Sequence, residues 1–241
     1  MATGAWPRFL ARWGDAVVAG TLTLGTMALL LATLNDSGMT WDEGFTVERE
    51  QRLAEWFARA AGRDEPADRA WSPALSKLQR RSAYVRRAGP AARSPWSRES
   101  LRFYWQFARE EPNGHPPFYA LLGLAGWAVS HRVLPPPGSY RFGPAVLFAL
   151  TVGVVYQVVA RQYGRPAGLM AALGLIAMPR MFAHAHLASY DVPTLGLWFL
   201  AMAAFLRAVE PAEGRVRTLA WTVAFGVAWG CALATKFTGW F

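Results

Sequence analysis

Long apolar runs separated by short polar punctuation make up most of this chain. Ala16 to Leu34, Phe118 to Leu134, Phe142 to Ala160, Ala167 to Ala183, Val192 to Leu206 and Thr218 to Thr235 are the runs, several of them 17 to 19 residues long. A helix that spans a bilayer needs about 20 such residues. No ten-residue alternation of the strand type recurs, so a closed barrel is not expected. The pattern predicts an all-α, polytopic transmembrane bundle, because helices satisfy their own backbone groups in lipid.

The runs are punctuated where proline and glycine dictate. Pro116-Pro117 opens the run from Phe118, Pro135-Pro136-Pro137-Gly138 breaks the chain after it, and Pro179-Arg180 interrupts the run from Ala167. Between the first and second runs lies a polar stretch, residues 42–114. Within it Leu53, Trp56, Phe57 and Ala60 follow the i, i+3, i+4, i+7 spacing of an amphipathic helix, and Leu101, Tyr104, Trp105 and Ala108 do the same. These predict juxtamembrane helices lying in the interface. Gly62 to Ser97, rich in Arg, Pro, Ser and Ala, is assigned no element.

Charge changes this picture only in its orientation. The formal net charge is +9, but the basic residues sit between apolar runs and form no patch on a soluble domain, so nucleic acid is not an expected partner. Arg8 and Arg12 before the first run favour a cytoplasmic N-terminus, which sends residues 42–114 to the extracytoplasmic side. If every run crosses, the short loops hold five basic residues on each side and the positive-inside rule has no preference. If Phe118 to Leu134 makes no net crossing, seven lie inside (Arg8, Arg12, Arg161, Arg165, Arg207, Arg215, Arg217) against three outside (Arg132, Arg141, Arg180). That second arrangement also gathers Asp42, His115 and Asp191 on one face, and it is the one expected. Cys231 is the only cysteine, so no intramolecular disulfide forms.

Candidate chemistry concentrates at the ends of the runs. In Trp41-Asp42-Glu43-Gly44, Thr40-x-x-Glu43 fits a capping box that opens a surface helix, with Asp42 favoured by the helix dipole. A carboxylate at the mouth of a bundle also suits a general base that takes a proton from an attacking hydroxyl. His115 fits an N-cap-like position before a proline-started helix, or a ligand to a phosphate or metal ion. Asp191 fits a cap of the run from Val192, or an acidic group of a cavity. His184 and His186 stand two apart, a spacing that lets them share an ion only in extended backbone, which leaves Glu43, His115, His184 and His186 as the candidate ligands of a divalent metal. Arg141, Arg180 and Lys236 are charges at or within apolar runs. Such charges point to function, and snorkelling to headgroups is the competing reading.

Taken in order, Asp42-Glu43-Gly44 after a first span, two juxtamembrane helices and His115-Pro116-Pro117-Phe118-Tyr119 form a series. Tyr140-Arg141-Phe142, Arg161-Gln-Tyr-Gly-Arg-Pro-Ala-Gly168, His186-Leu-Ala-Ser-Tyr-Asp191-Val-Pro193 and Ala234-Thr235-Lys236-Phe237-Thr238-Gly239 continue it. The series resembles the polytopic GT-C glycosyltransferases of the protein mannosyltransferase and lipid A aminoarabinose transferase type, glycosyltransferase family 39. The resemblance implies transfer of a sugar from a polyprenyl-phosphate donor to an acceptor hydroxyl on the extracytoplasmic face of a membrane, the bacterial cytoplasmic membrane being the expected one. By that analogy Asp42 is the general base with Glu43 beside it, His115 lies next to the donor phosphate or a metal, Arg141 and Lys236 are cations for substrate, and Asp191 is a second acid of the cavity. Family members are much longer, so the chain is expected to be the amino-terminal portion of a larger enzyme. A transporter or flippase of a lipid-linked sugar, or a membrane scaffold without chemistry, are the competing functions. The sequence leaves the oligomeric state open.

Overall fold

The computed structural model describes residues 5–63, 94–105, 115–210 and 214–240, with the side chains of residues 5–13, Trp41, Asp42, Glu99, Phe103 and residues 239–240 outside that description. Every regular element among the described residues is helical. In chain order they are α1 (Ala5–Thr33), α2 (Trp41–Ala60), α3 (Arg98–Trp105), α4 (Phe118–Ser130), α5 (Gly138–Tyr163), α6 (Arg165–Ala177), α7 (Pro179–Ala185), α8 (Asp191–Ala208) and α9 (Gly214–Leu233), followed by a 3-10 turn at Phe237–Trp240.

Among the described residues four segments are long and apolar enough to cross a membrane: Gly14–Thr33 within α1, and α5, α8 and α9. α6 and α7 add a fifth if they count as one span, bent by 68° at the break before Pro179. Proline there has no N–H to give the preceding turn, so the ladder stops where the sequence said it would. The chain is an integral, multi-pass membrane protein.

α5 is the central strut. It packs antiparallel to α1, with Phe148, Val152 and Tyr156 against Ala19, Leu30 and Leu34, and the same cluster takes in Ala172 of α6, Ala185 of α7 and Val192 of α8. Helices in lipid gain little from the hydrophobic effect and associate instead by close packing of small residues. The clearest case is α4 on α5, where a Cβ added to Gly126 would stand 2.3 Å from the backbone nitrogen of Gly143. α9 is the least covered span, and Val216, Leu219, Val223 and Val227 stand outward on it, as a lipid-facing surface requires.

Contacts between ends give the topology. At one end Arg165, just after the Gly164 turn (φ 90), meets Asp15 of α1 at 2.6 Å, and Arg161 of α5 meets Glu210 after α8 at 3.1 Å. Asn35, after α1, accepts from the Gly138 N–H at the start of α5 (2.8 Å) at the other end, and the carbonyl of Ala234 after α9 accepts from Phe118 N–H (2.9 Å). α4, with 13 residues, rises about 20 Å against a hydrocarbon core of about 30 Å. Its first turn meets the chain after α9, and Ser130 in its last turn donates to the carbonyl of Ser139 at 3.2 Å. So α4 starts and ends on the side where α1 finishes, which is the arrangement without a net crossing, and Asp15, Arg161, Arg165 and Arg207 collect at the opposite end.

The amphipathic pattern of the polar stretch matches α2 and α3 in part. Leu53, Trp56 and Tyr104 are buried, whereas Phe57 and Leu101 are exposed, and Ala108 lies outside the described residues. α2 docks on α4 through Leu53, which packs with Tyr119 and Ala120.

Candidate active site

Two constellations occupy the end of the bundle where α2 begins. The first is a buried clamp. Thr40 precedes α2 in extended backbone, and its N–H reaches the Glu43 carboxylate at 3.3 Å, the return half of the expected capping box. Glu43 is buried and meets the equally buried Arg141 twice, Nε to Oε1 at 2.6 Å and Nη2 to Oε2 at 2.8 Å. Arg141 also donates to the carbonyls of Leu34 (2.6 Å), Ser37 (3.0 Å) and Gly38 (3.0 Å). The Ala188 N–H completes the carboxylate's shell at 2.9 Å. A bidentate Arg–carboxylate pair with its remaining lone pairs and protons satisfied is the geometry in which a buried ion pair holds. It fastens together the α1–α2 loop, the first turn of α2, the first turn of α5 and the α7–α8 loop.

The second constellation surrounds Tyr190, two residues after Ala188 of that clamp. Asp191 is the first residue of α8, with Tyr190 at the N-cap, so it is a first-turn acid and not the cap that the sequence suggested. Lys236, arriving from the end of α9, meets Asp191 at 2.7 Å and lies 4.7 Å from the centre of the Tyr190 ring. Such a cation over a ring adds attraction where water is scarce. The His115 ring packs 4.1 Å from Tyr190 on another side, and Tyr119 of α4 meets it edge-on at 5.7 Å. Arg49 of α2 donates to the Tyr119 hydroxyl. His184 of α7 brings Nδ1 to 3.6 Å from the second Asp191 oxygen, too far for a hydrogen bond.

Three polar atoms of this cluster are buried and have no hydrogen-bond partner: His115 Nδ1, His184 Nδ1 and Ser189 Oγ. Orphaned polar groups are rare in proteins and costly. Three of them lie on or beside the residues that surround the half-buried Asp191, so this cluster holds hydrogen-bonding capacity that its own side chains do not use. Burial, and then the charges of Lys236 and Arg49, push the His115 pKa down despite the opposing pull of Asp191. A neutral His115 offers one N–H donor and one acceptor nitrogen.

Of the residues singled out in the sequence, His115, Asp191, Lys236 and His184 therefore come together. Glu43 and Arg141 form their own pair, and every Arg141 N–H already has a protein oxygen, leaving none for a phosphate. His186 is also committed: its Nδ1 lies 2.7 Å from the Phe182 carbonyl and its Nε2 2.7 Å from the Thr33 hydroxyl. It therefore does not share an ion with His184. Among the described residues no group of three or more His, Cys, Asp or Glu is placed to hold a metal ion. Arg180 is exposed at the bend of α6 and α7. Asp42 falls in the first turn of α2, beside the clamp, with its side chain outside the described residues. Tyr190, Tyr119 and Arg49 went unmarked in the sequence, where a tyrosine near a span reads as an interfacial ring and an arginine between two glutamates as a solvated face.

Residues 115–241 match the family described as dolichyl-phosphate-mannose-protein mannosyltransferase, which is just over half of the chain. The chain belongs to this family. It is a membrane glycosyltransferase of GT-C type, as the ordered motifs implied. The match to the mannosyltransferase family opens at His115 and takes in Arg141, His184, Asp191 and Lys236, while α1 and α2 precede it. No curated protein and no solved structure matches the chain.

Proposed function

We propose that this glycosyltransferase moves a sugar from a polyprenyl-phosphate donor to an acceptor hydroxyl, at the end of the bundle where α2 begins. The carrying observation is the cluster of Lys236, His115, His184 and Ser189 with three orphaned polar atoms around Tyr190. A leaving phosphate needs fixed donors and a cation, and their preorganisation is worth more in a site poor in water. Lys236 supplies the charge, held in place by Asp191, and His184, Ser189 and the neutral His115 supply adaptable donors. Asp42 acts as general base on the acceptor, on the rim of the same end. Glu43 and Arg141 serve by holding the rim, fixing the turn that carries Asp42 and the loop that carries Tyr190 and Asp191. The lipid tail of the donor runs along the apolar spans, and the N-terminus is cytoplasmic by the basic end opposite.

Lys236→Met keeps the length and most of the packing of the side chain while removing its charge. Hydrogen bonds to charged groups are worth about 1.5–3 kcal/mol, which corresponds to roughly a ten- to hundredfold loss. Donor affinity, measured with a labelled polyprenyl-phosphate sugar in vesicles, is expected to fall by that factor. Unchanged affinity in a folded variant would take Lys236 out of the phosphate site.

A further inference from the structure

Among the described residues Glu50 is the one fully buried carboxylate that neither constellation uses. It lies two turns after Glu43 on the same face of α2, has no exposure, and neither of its oxygens has a hydrogen-bond partner. It is pressed onto α4 at Gly123, where a Cβ would stand 2.0 Å from Oε1 and 2.4 Å from the carboxyl carbon. Any side chain at position 123 would have to displace the carboxyl group. Its neighbours in sequence behave differently: Glu48 and Arg52 pair at 2.8 Å on a partly exposed face, as ordinary surface charges do.

The charged and titratable groups around Glu50 offer it no counter-ion. On its own helix, Glu43 is bound to Arg141, and Arg49 is turned to Tyr119. α4 contributes the Tyr119 hydroxyl, which receives that arginine. From α5 come Arg141, whose N–H groups are used by Glu43 and the loop carbonyls, and Tyr140, whose hydroxyl accepts from Gln51 at 3.2 Å. The nearest of these in charge terms, Glu43, repels a second negative charge. An ionised carboxylate in such surroundings costs several kcal/mol, whereas the neutral acid costs far less.

We propose that Glu50 is a proton-operated seat between α2 and α4, admitting α2 to its docked position as the neutral acid and favouring its release when ionised. The direction of its titration agrees, since burial, and secondarily Glu43, raise the carboxyl pKa well above the usual value. Docked Glu50 keeps its proton to a higher pH than undocked Glu50. Docking is thus strongest in acid and weakens as pH climbs through the interval between the two values. Because α2 carries Asp42 and Glu43, the seat sets the pH range over which this rim of the bundle is assembled. It does so whatever reaction the rim performs.

The test compares the full chain with Glu50→Gln in lipid nanodiscs, by hydrogen exchange of the α2 amides from about pH 5 to about pH 8. Gln keeps the shape and cannot ionise. The ratio of wild-type to Glu50→Gln opening is expected to be near one in acid and to grow by up to about tenfold per pH unit, the slope of a single proton. A ratio independent of pH overturns the proposal. Infrared spectroscopy of wild-type protein with isotope-labelled glutamate gives a readout that needs no folded variant. A protonated carboxyl band that persists at neutral pH and disappears as α2 exchange accelerates supports the seat, and its absence at neutral pH overturns it.

Discussion

Arg141→Met is expected to destabilise the bundle by about 3–5 kcal/mol, the cost of leaving a buried charge without its partner. The residue that suffers is Glu43, which would keep only the N–H groups of Ala188 and Thr40 in a place with no exposure. The carbonyls of Leu34, Ser37 and Gly38 would lose their donor at the same time. The guanidinium ties α5 to the α1–α2 loop directly and, through Glu43, to α2 and the α7–α8 loop, so the loss is expected as global unfolding at lower temperature in detergent, not as a local loosening. The double variant Glu43→Leu with Arg141→Met is expected to recover part of the stability, since it removes both charges. A single Arg141→Met variant as stable as wild type would show that the pair is not what holds the α2 end together.

Asp42→Asn is expected to lower sugar transfer by about 10²–10⁴-fold, the usual contribution of a general base, while insertion and donor binding stay intact. The choice of asparagine separates the two meanings of this residue. Asp42 lies in the first turn of α2, where losing its charge costs only about 0.3–1 kcal/mol of dipole interaction, so a residue that merely opens α2 would tolerate the change. A residue that takes a proton would not. Turnover is measured with labelled donor and acceptor in the intact enzyme, alongside protease protection to verify insertion. Wild-type turnover in the variant would remove Asp42 from the mechanism.

The spans and their breaks were legible because lipid imposes length and apolarity on each segment separately, and each reads from its own residues. Pro179 broke its run for a local reason, a missing N–H, and the structure bends there by 68°. Phe118 to Leu134 was harder, because a largely apolar run of 17 residues reads as a span while the helix within it has 13. The count of arginines, a property of the whole chain, pointed to the arrangement that the end contacts support. Pairing of side chains was the least legible part. Glu43 and Arg141 are 98 residues apart and Thr33 and His186 are 153 apart, separations over which no periodicity carries information. Each was recognisable as a polar group at the end of an apolar run, but not as a group already satisfied. Glu50 was hidden for the opposite reason: between Glu48 and Arg52 it looks like one more charge on a wetted helix, and only the approach of Gly123 shows it to be buried.

The central claim is that chemistry, and not transport, takes place at the Tyr190 end of the bundle. The direct measurement is to give the intact enzyme, in sealed vesicles, a polyprenyl-phosphate donor labelled in its sugar, together with an acceptor, and to follow where the label goes. The account predicts that label leaves the lipid and appears covalently on the acceptor, with free polyprenyl phosphate released in equal amount. Label that stays on the lipid and only changes leaflet would contradict it.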